Sequence, residues 1–356
     1  MKCKDRIDRL RQELIQKNID AMLITSRHNI EYYSGFTGTE SYIFISKDKQ
    51  FVFTDSRYTQ QAKQQTSFFT LNEYKGDAYT TICDVINNNS IKNIGFDDKN
   101  MTFSIYNKFS EKLTSKLVPT GDLLNRMRMK KDEDELFLIE QAVNIADRAF
   151  EHIINYIKPG VIEREVAAQL EFFMKKEGAQ GIAFDTIVAS GARSSLPHGV
   201  ASMKAIESGD AIILDYGAIY KGYCSDISRT VFVGKPDPEL LDIYKIVLRA
   251  QTLAQEEAQS KMEVKQIDML ARQHINDCGY GDFFGHGLGH GIGLEIHEEP
   301  GLSPYRSGIM EDDMVVTMEP GIYLPNKGGV RIEDVVVFIN GRPKILTKAS
   351  KEIITL

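Results

Sequence analysis

Asp215, Asp226, Glu319 and Glu333 are acidic residues set at the ends of strongly apolar runs. Ala211-Ile212-Ile213-Leu214 leads into Asp215, and Met314-Val315-Val316-Thr317-Met318 leads into Glu319. Asp226 and Glu333 stand just ahead of two further apolar segments. Burying a carboxylate without a partner is costly, so such positions need a counter-charge. Two divalent cations would bring four carboxylates close to neutrality; without them the acids would repel one another and share protons. Two such ions about 3.5–4 Å apart can hold a bridging water, lower its pKa and supply hydroxide as a nucleophile. The pattern also fits four acids at exposed strand ends, each solvated on its own.

The histidines weigh on that choice. Three of the chain's seven, His286, His290 and His297, fall in one stretch that carries glycine at 285, 287, 289, 291 and 293. So many glycines exclude an ordinary helix and let an extended backbone approach a crowded centre closely. On such a strand His286 and His290 would share one face. His198 lies in the turn-like Leu196-Pro197-His198-Gly199, where a histidine is ordinarily solvated. His28, His152 and His274 read as structural or surface residues.

The elements that must position these groups come from periodicity. Residues 207–217 and 311–321 share one pattern: an acidic turn, an apolar strand, a carboxylate at its end and glycine two residues later. Any two β-hairpins look alike at this level. The pattern also fits a pseudo-twofold domain whose two hairpins each present two acids to a shared centre. Apolar residues at 136, 139, 143, 146, 150 and 153 predict a long helix over 132–157, ended by Pro159-Gly160, with further helices at 163–177, 239–258 and 265–278. The first third alternates helix and strand signals: an amphipathic helix through Ile7, Leu10 and Leu14, a hairpin at 42–46 and 51–54, and Asp55 as the cap of a helix over 57–65. Pro119-Thr120-Gly121-Asp122 interrupts the pattern, which places a boundary near residue 124. The expected architecture is α+β, with an α/β domain at 1–124 and a catalytic domain at 125–356.

Composition narrows the classes. The 356 residues are 42% hydrophobic and 26% charged, as in a soluble globular protein. A net charge of −7 with no long block of one sign excludes nucleic acid as the main partner. No run approaches the ~18 apolar residues of a membrane span, and residues 1–11 carry no secretory signal pattern. Cys3, Cys83, Cys224 and Cys278 show no paired spacing and read as reduced thiols, which together place the chain in the cytoplasm.

The stretch from His286 to Glu298 resembles the signature of the prolidase and aminopeptidase P group of pita-bread metallopeptidases. The likeness extends to Asp215-Tyr216-Gly217, Ser225-Asp226, His290, Met318-Glu319-Pro320-Gly321 and Val330-Arg331-Ile332-Glu333-Asp334. Ser34 to Gly38 and Thr54 to Tyr58 resemble the creatinase-type domain that precedes the catalytic domain in Xaa-Pro peptidases. The resemblance implies that Asp215, Asp226, His290, Glu319 and Glu333 bind two divalent metals, with Asp226 and Glu333 bridging, Asp215 on one ion, and His290 with Glu319 on the other. It implies Glu319 as proton shuttle and His198 and His297 as the groups that meet the scissile amide and steady the intermediate. His286 and Arg331 resemble accessory substrate-side residues; the alternative for Arg331, which shares a strand face with Glu333, is that it only braces that ligand.

The implied substrate is a proline-containing di- or oligopeptide. A dipeptidase is favoured over an aminopeptidase by the short N-terminal domain, which also ranks methionine aminopeptidases third. A homodimer is implied, with loop 35–41 closing the pocket of the other copy. An oxygen-rich site with one histidine suits Mn or Co, and also Zn or Fe. Creatinase-like and binding members of this fold have lost the ligand set, whereas this chain retains all five residues.

Overall fold

The computed structural model describes residues 2–356, and the chain divides into two compact units, one ending at Met127 and one running from Arg128 to Leu356. No helix among the described residues is long and apolar enough to cross a membrane. Cys83, Cys224 and Cys278 are free thiols.

The first unit is built on a six-stranded sheet ordered Thr70–Glu73, Gln50–Thr54, Ser41–Ser46, Ala21–Ile24, Asn93–Phe96 and Lys116–Pro119. The hairpin forms in the predicted place, with Tyr42 opposite Phe53. Leu23, Phe44, Phe53 and Ile94 share one core with Ile82, Ile86 and Phe109 from two helices. Asp55 does not cap the next helix, which begins at Thr59. Its carboxylate instead accepts from the Arg57 N–H and guanidinium, a local turn that competes with capping.

The second unit repeats one plan twice. In its first half, helices Glu133–Ile153 and Glu163–Lys176 cover a sheet ordered Ile227–Phe232, Ala211–Tyr216, Ile187–Ser190. In its second, helices Pro238–Glu257 and Val264–Asp277 cover a sheet ordered Glu298–Leu302, Gly289–Gly291, Val315–Met318, Asp334–Ile339, Arg342–Ile345. The long helix starts where Asp132 and Glu135 form a reciprocal capping box and buries Ile139, Val143, Ala146, Phe150 and Ile153 at helical spacing. It ends at Ile153, one turn short of the predicted end.

The halves are stitched along one seam. Glu333 N–H donates to the Ser228 carbonyl at 3.0 Å, and the Thr230 hydroxyl donates to the Arg331 carbonyl at 3.0 Å. Beside it, Arg229 pairs with Asp334 at 2.8 Å, and its guanidinium also donates to the carbonyls of Ser228, Glu333, Ala349 and Ser350. Both side chains are buried. Arg229→Met strips the donor from an acid and four carbonyls, and urea titration should show a loss of about 3–5 kcal/mol.

Candidate metal centre

Each candidate acid sits at a strand end on this seam. Asp215 is the penultimate residue of Ala211–Tyr216, and Asp226 immediately precedes Ile227–Phe232. Glu319 follows Val315–Met318, and Glu333 precedes Asp334–Ile339. The four converge on a cavity of about 450 Å³, which His198, His286, His290, His297 and Arg331 also line. His28, His152 and His274 are not in the lining; His152 stacks on Phe173 with ring centroids 4.3 Å apart.

The histidine stretch is less regular than predicted. Only Gly289–Gly291 pairs as a strand, and His286 lies in the loop before it, although both rings line the cavity. Crowding rather than turns explains Gly287, Gly289, Gly291 and Gly293, whereas Gly285 has open space beside it. A Cβ on Gly289 would run into the Thr317 carbonyl, and one on Gly291 into that of Glu299. That tight packing lets Glu319 N–H reach the Leu288 carbonyl at 2.7 Å and His290 N–H the Thr317 hydroxyl at 3.1 Å.

The His290 ring is oriented for a cation. Its Nδ1 lies 3.0 Å from the Gly291 carbonyl, so Nδ1 carries the proton and Nε2 presents a lone pair. That lone pair faces Asp226 Oδ2 and Glu319 Oε1, each at 3.5 Å. Three acceptors facing one another repel unless a cation or a proton sits between them. Two donors about 2.1 Å from one ion at a tetrahedral angle stand about 3.4 Å apart, close to the spacing seen. Asp226, His290 and Glu333 each offer one ligand atom within 4.8 Å of one another, while Asp215 and Glu319 lie outside that tighter group. Among the described residues, Asp215 Oδ1, Asp226 Oδ1 and Glu333 Oε1 are buried and accept no hydrogen bond. Orphaned buried oxygens of this kind need an explanation, and divalent cations in the cavity would supply partners for them.

Electrostatics agree. Burial, then the charges of Glu333, Asp215 and Glu319, hold Asp226 well above the usual carboxylate range. Glu333 is held up by burial and then by Glu319 and Asp215. Burial pushes Glu319 up to about 8 and His290 down to about 4. Stripped of cations, the centre therefore favours protonated acids and a neutral histidine, which is the state that releases protons on binding metal.

Arg331 braces a different acid from the one expected. It pairs with Asp215 Oδ2 at 2.5 Å and reaches Glu333 only through the Ser228 hydroxyl, which donates to Glu333 Oε2 at 2.9 Å. Strand-face reasoning missed this because Asp215 lies on the other half of the repeat. Tyr323, Ser228 and Thr317 were also missed. His286 Nδ1 lies 2.8 Å from the Gly287 carbonyl and so carries the proton; its Nε2 accepts from the Tyr323 hydroxyl, which accepts in turn from Arg331. The signal was a tyrosine in an otherwise apolar strand, since a buried hydroxyl must find a partner.

Comparison with known proteins settles the family. The family described as "Metallopeptidase family M24" matches residues 138–339. The chain belongs to metallopeptidase family M24. The "Creatinase/Prolidase N-terminal domain" matches residues 6–130, so this M24 peptidase carries the pita-bread α+β fold behind a creatinase-type domain. It is 40% identical to an Xaa-Pro dipeptidase of Pyrococcus furiosus, over 99% of this chain and 100% of the relative. It is similar to the solved Xaa-Pro dipeptidase from Bacillus anthracis, with a TM-score of 0.97, 44% identity and coverage of 99% and 100%. The X-Pro aminopeptidase from Thermotoga maritima also matches, with a TM-score of 0.92, 44% identity and the same coverage. M24 membership makes this chain a peptidase that works with divalent metal ions.

Proposed function

We propose that this M24 peptidase hydrolyses the bond ahead of proline, with dipeptides as its main substrates, and that Asp215, Asp226, His290, Glu319 and Glu333 hold two divalent cations, Mn or Co. The observation that carries the reading is the convergence of these five side chains on one cavity with three buried, unpartnered carboxylate oxygens. The cations supply Lewis acidity and a water acidic enough to give hydroxide near neutral pH. The chain's own groups do the rest. The Glu319 carboxylate takes the proton of the attacking water and returns it to the prolyl nitrogen as the bond breaks. His297, with its ring centroid 4.4 Å from that of His290, steadies the oxyanion on the attacked carbonyl, and His198 meets the scissile amide from the opposite loop. His286 and Arg331 line the substrate side. With both ring nitrogens and most of the guanidinium already engaged, they hold the cavity wall rather than grip the peptide. A homodimer in which loop 35–41 of a second copy meets the dipeptide carboxylate would account for a preference for dipeptides.

Similarity to the Thermotoga aminopeptidase at the same 44% identity favours a second reading, Xaa-Pro aminopeptidase. The two separate in one assay of metal-loaded enzyme on an Xaa-Pro dipeptide and an Xaa-Pro-Xaa tripeptide. A dipeptide kcat/KM at least about tenfold higher is expected, because only a dipeptide places its carboxylate at the closed end of the pocket. Efficient cleavage of the tripeptide overturns the dipeptidase reading.

A further inference from the structure

His198 rides on loop 191–201, which leaves the strand Ile187–Ser190 and returns at Ser202. Its side chain is exposed at the cavity, and among the described residues no hydrogen bond holds its ring. The loop backbone alone sets where the imidazole stands. On the site side that backbone is tied by Arg331, which donates to the Pro197 carbonyl at 3.0 Å, and by Gly329 N–H, which donates to the Ser194 hydroxyl at 2.8 Å.

Underneath lies Glu163, the first residue of helix Glu163–Lys176, whose residue is 0% exposed. The metal centre makes no use of it. Glu163 Oε1 accepts from the Ser190 N–H and hydroxyl, both at 2.8 Å. Oε2 accepts from the Ser202 N–H at 3.0 Å and hydroxyl at 2.6 Å, and it pairs with Arg193. Arg193 also donates to the Val200 carbonyl at 2.9 Å, across the loop from its own limb. One carboxylate thus clamps both feet of the loop and, through Arg193, its far limb. An acid placed only to complement a helix N-terminus needs none of these donors. A buried charge whose hydrogen bonds are met by one loop and the two residues that flank it fixes that loop in a single place.

We propose that Glu163 is a positioning residue for His198, setting the height of loop 191–201 so that the imidazole faces the substrate. This rests on the peptidase reading, in which His198 meets the scissile amide. Glu163→Gln keeps the size of the side chain but turns an amide NH₂ towards serine and arginine donors. The parent, Glu163→Gln, His198→Ala and the double variant are compared, metal-loaded, on an Xaa-Pro dipeptide. In the parent background kcat/KM should fall about tenfold, mostly in kcat, because small misplacements of a reacting group are expensive. In the His198→Ala background the loss should stay under about twofold, since the residue to be positioned is gone. Amide hydrogen exchange in 191–201 should quicken in Glu163→Gln while bound metal per chain is unchanged.

Equal losses in the two backgrounds, or no loss in the parent, overturn the proposal. If Glu163→Gln does not fold, Ser202→Ala removes one donor from the same carboxylate, and the same cycle should give about a threefold loss against none. A parent that cleaves no Xaa-Pro peptide overturns the Xaa-Pro reading and this inference with it. An active parent with an additive cycle overturns the role of Glu163 alone.

Discussion

Asp226→Asn is expected to lower turnover by more than about a thousandfold and to empty the metal centre without unfolding the protein. Asp226 offers one of three potential ligand atoms that lie within 4.8 Å of one another, and its Oδ1 has no protein partner to lose. Asparagine keeps the shape but withdraws one negative charge and one oxygen, so elemental analysis should show bound metal falling well below that of the parent. The metal-free proteins should rank the other way. Burial and the neighbouring charges of Glu333, Asp215 and Glu319 disfavour ionised Asp226, and the variant relieves all of these. Its metal-free Tm should equal or exceed that of the stripped parent, while the rise in Tm on adding metal should shrink. Wild-type turnover in this variant would sink the assignment of Asp226 as a ligand.

Removal of the cations should abolish activity and leave a protein whose stability falls with rising pH. Glu319 is pushed up to about 8 in the folded chain, above its ordinary 4.5, and Asp226 and Glu333 are raised in the same sense. A raised folded pKa means that the native state binds the proton more tightly. The stability it gives is therefore complete below the unfolded pKa and is lost as pH climbs through the folded value. His286 and His290, each lowered to about 4, act with the opposite sign, but only below their ordinary 6.5. Asp334 and Glu298, held below their ordinary values although burial opposes it, act lower still. Between pH 6.5 and about 8 the raised acids decide, so Tm of the stripped protein should drop across that window. Saturating Mn²⁺ or Co²⁺ should remove the drop and restore turnover, because binding replaces protons with cations. Thermal melts at half-unit pH steps with and without metal would show it, and Glu319→Gln should flatten the metal-free curve. Activity that survives thorough chelation would overturn the metal mechanism.

The parts of this molecule legible in the sequence are those written in local pattern. Acids that close apolar runs, alternating glycines around histidines, and two similar hairpins pointed to a shared centre before any fold was known. The lining of one cavity contains every residue so chosen. What stayed hidden depends on partners distant in the chain. The pairing of Arg331 with Asp215 spans 116 residues, and strand-face logic reached only its neighbour Glu333. Glu163 looks like any acid in the first turn of a helix until Ser190, Arg193 and Ser202 are seen folded over it. Asp55 shows the converse: a plausible cap was diverted by an arginine two residues away.

The seam between the two halves makes the site a property of both at once. Asp215 and Asp226 belong to one sheet; Glu319, Glu333 and His290 belong to or flank the other. Neither half alone carries all five proposed donors, so the proposed centre exists only while the seam holds. His290 and its glycine-rich surround lie in the second half alone, so the two halves contribute unequally to the proposed centre.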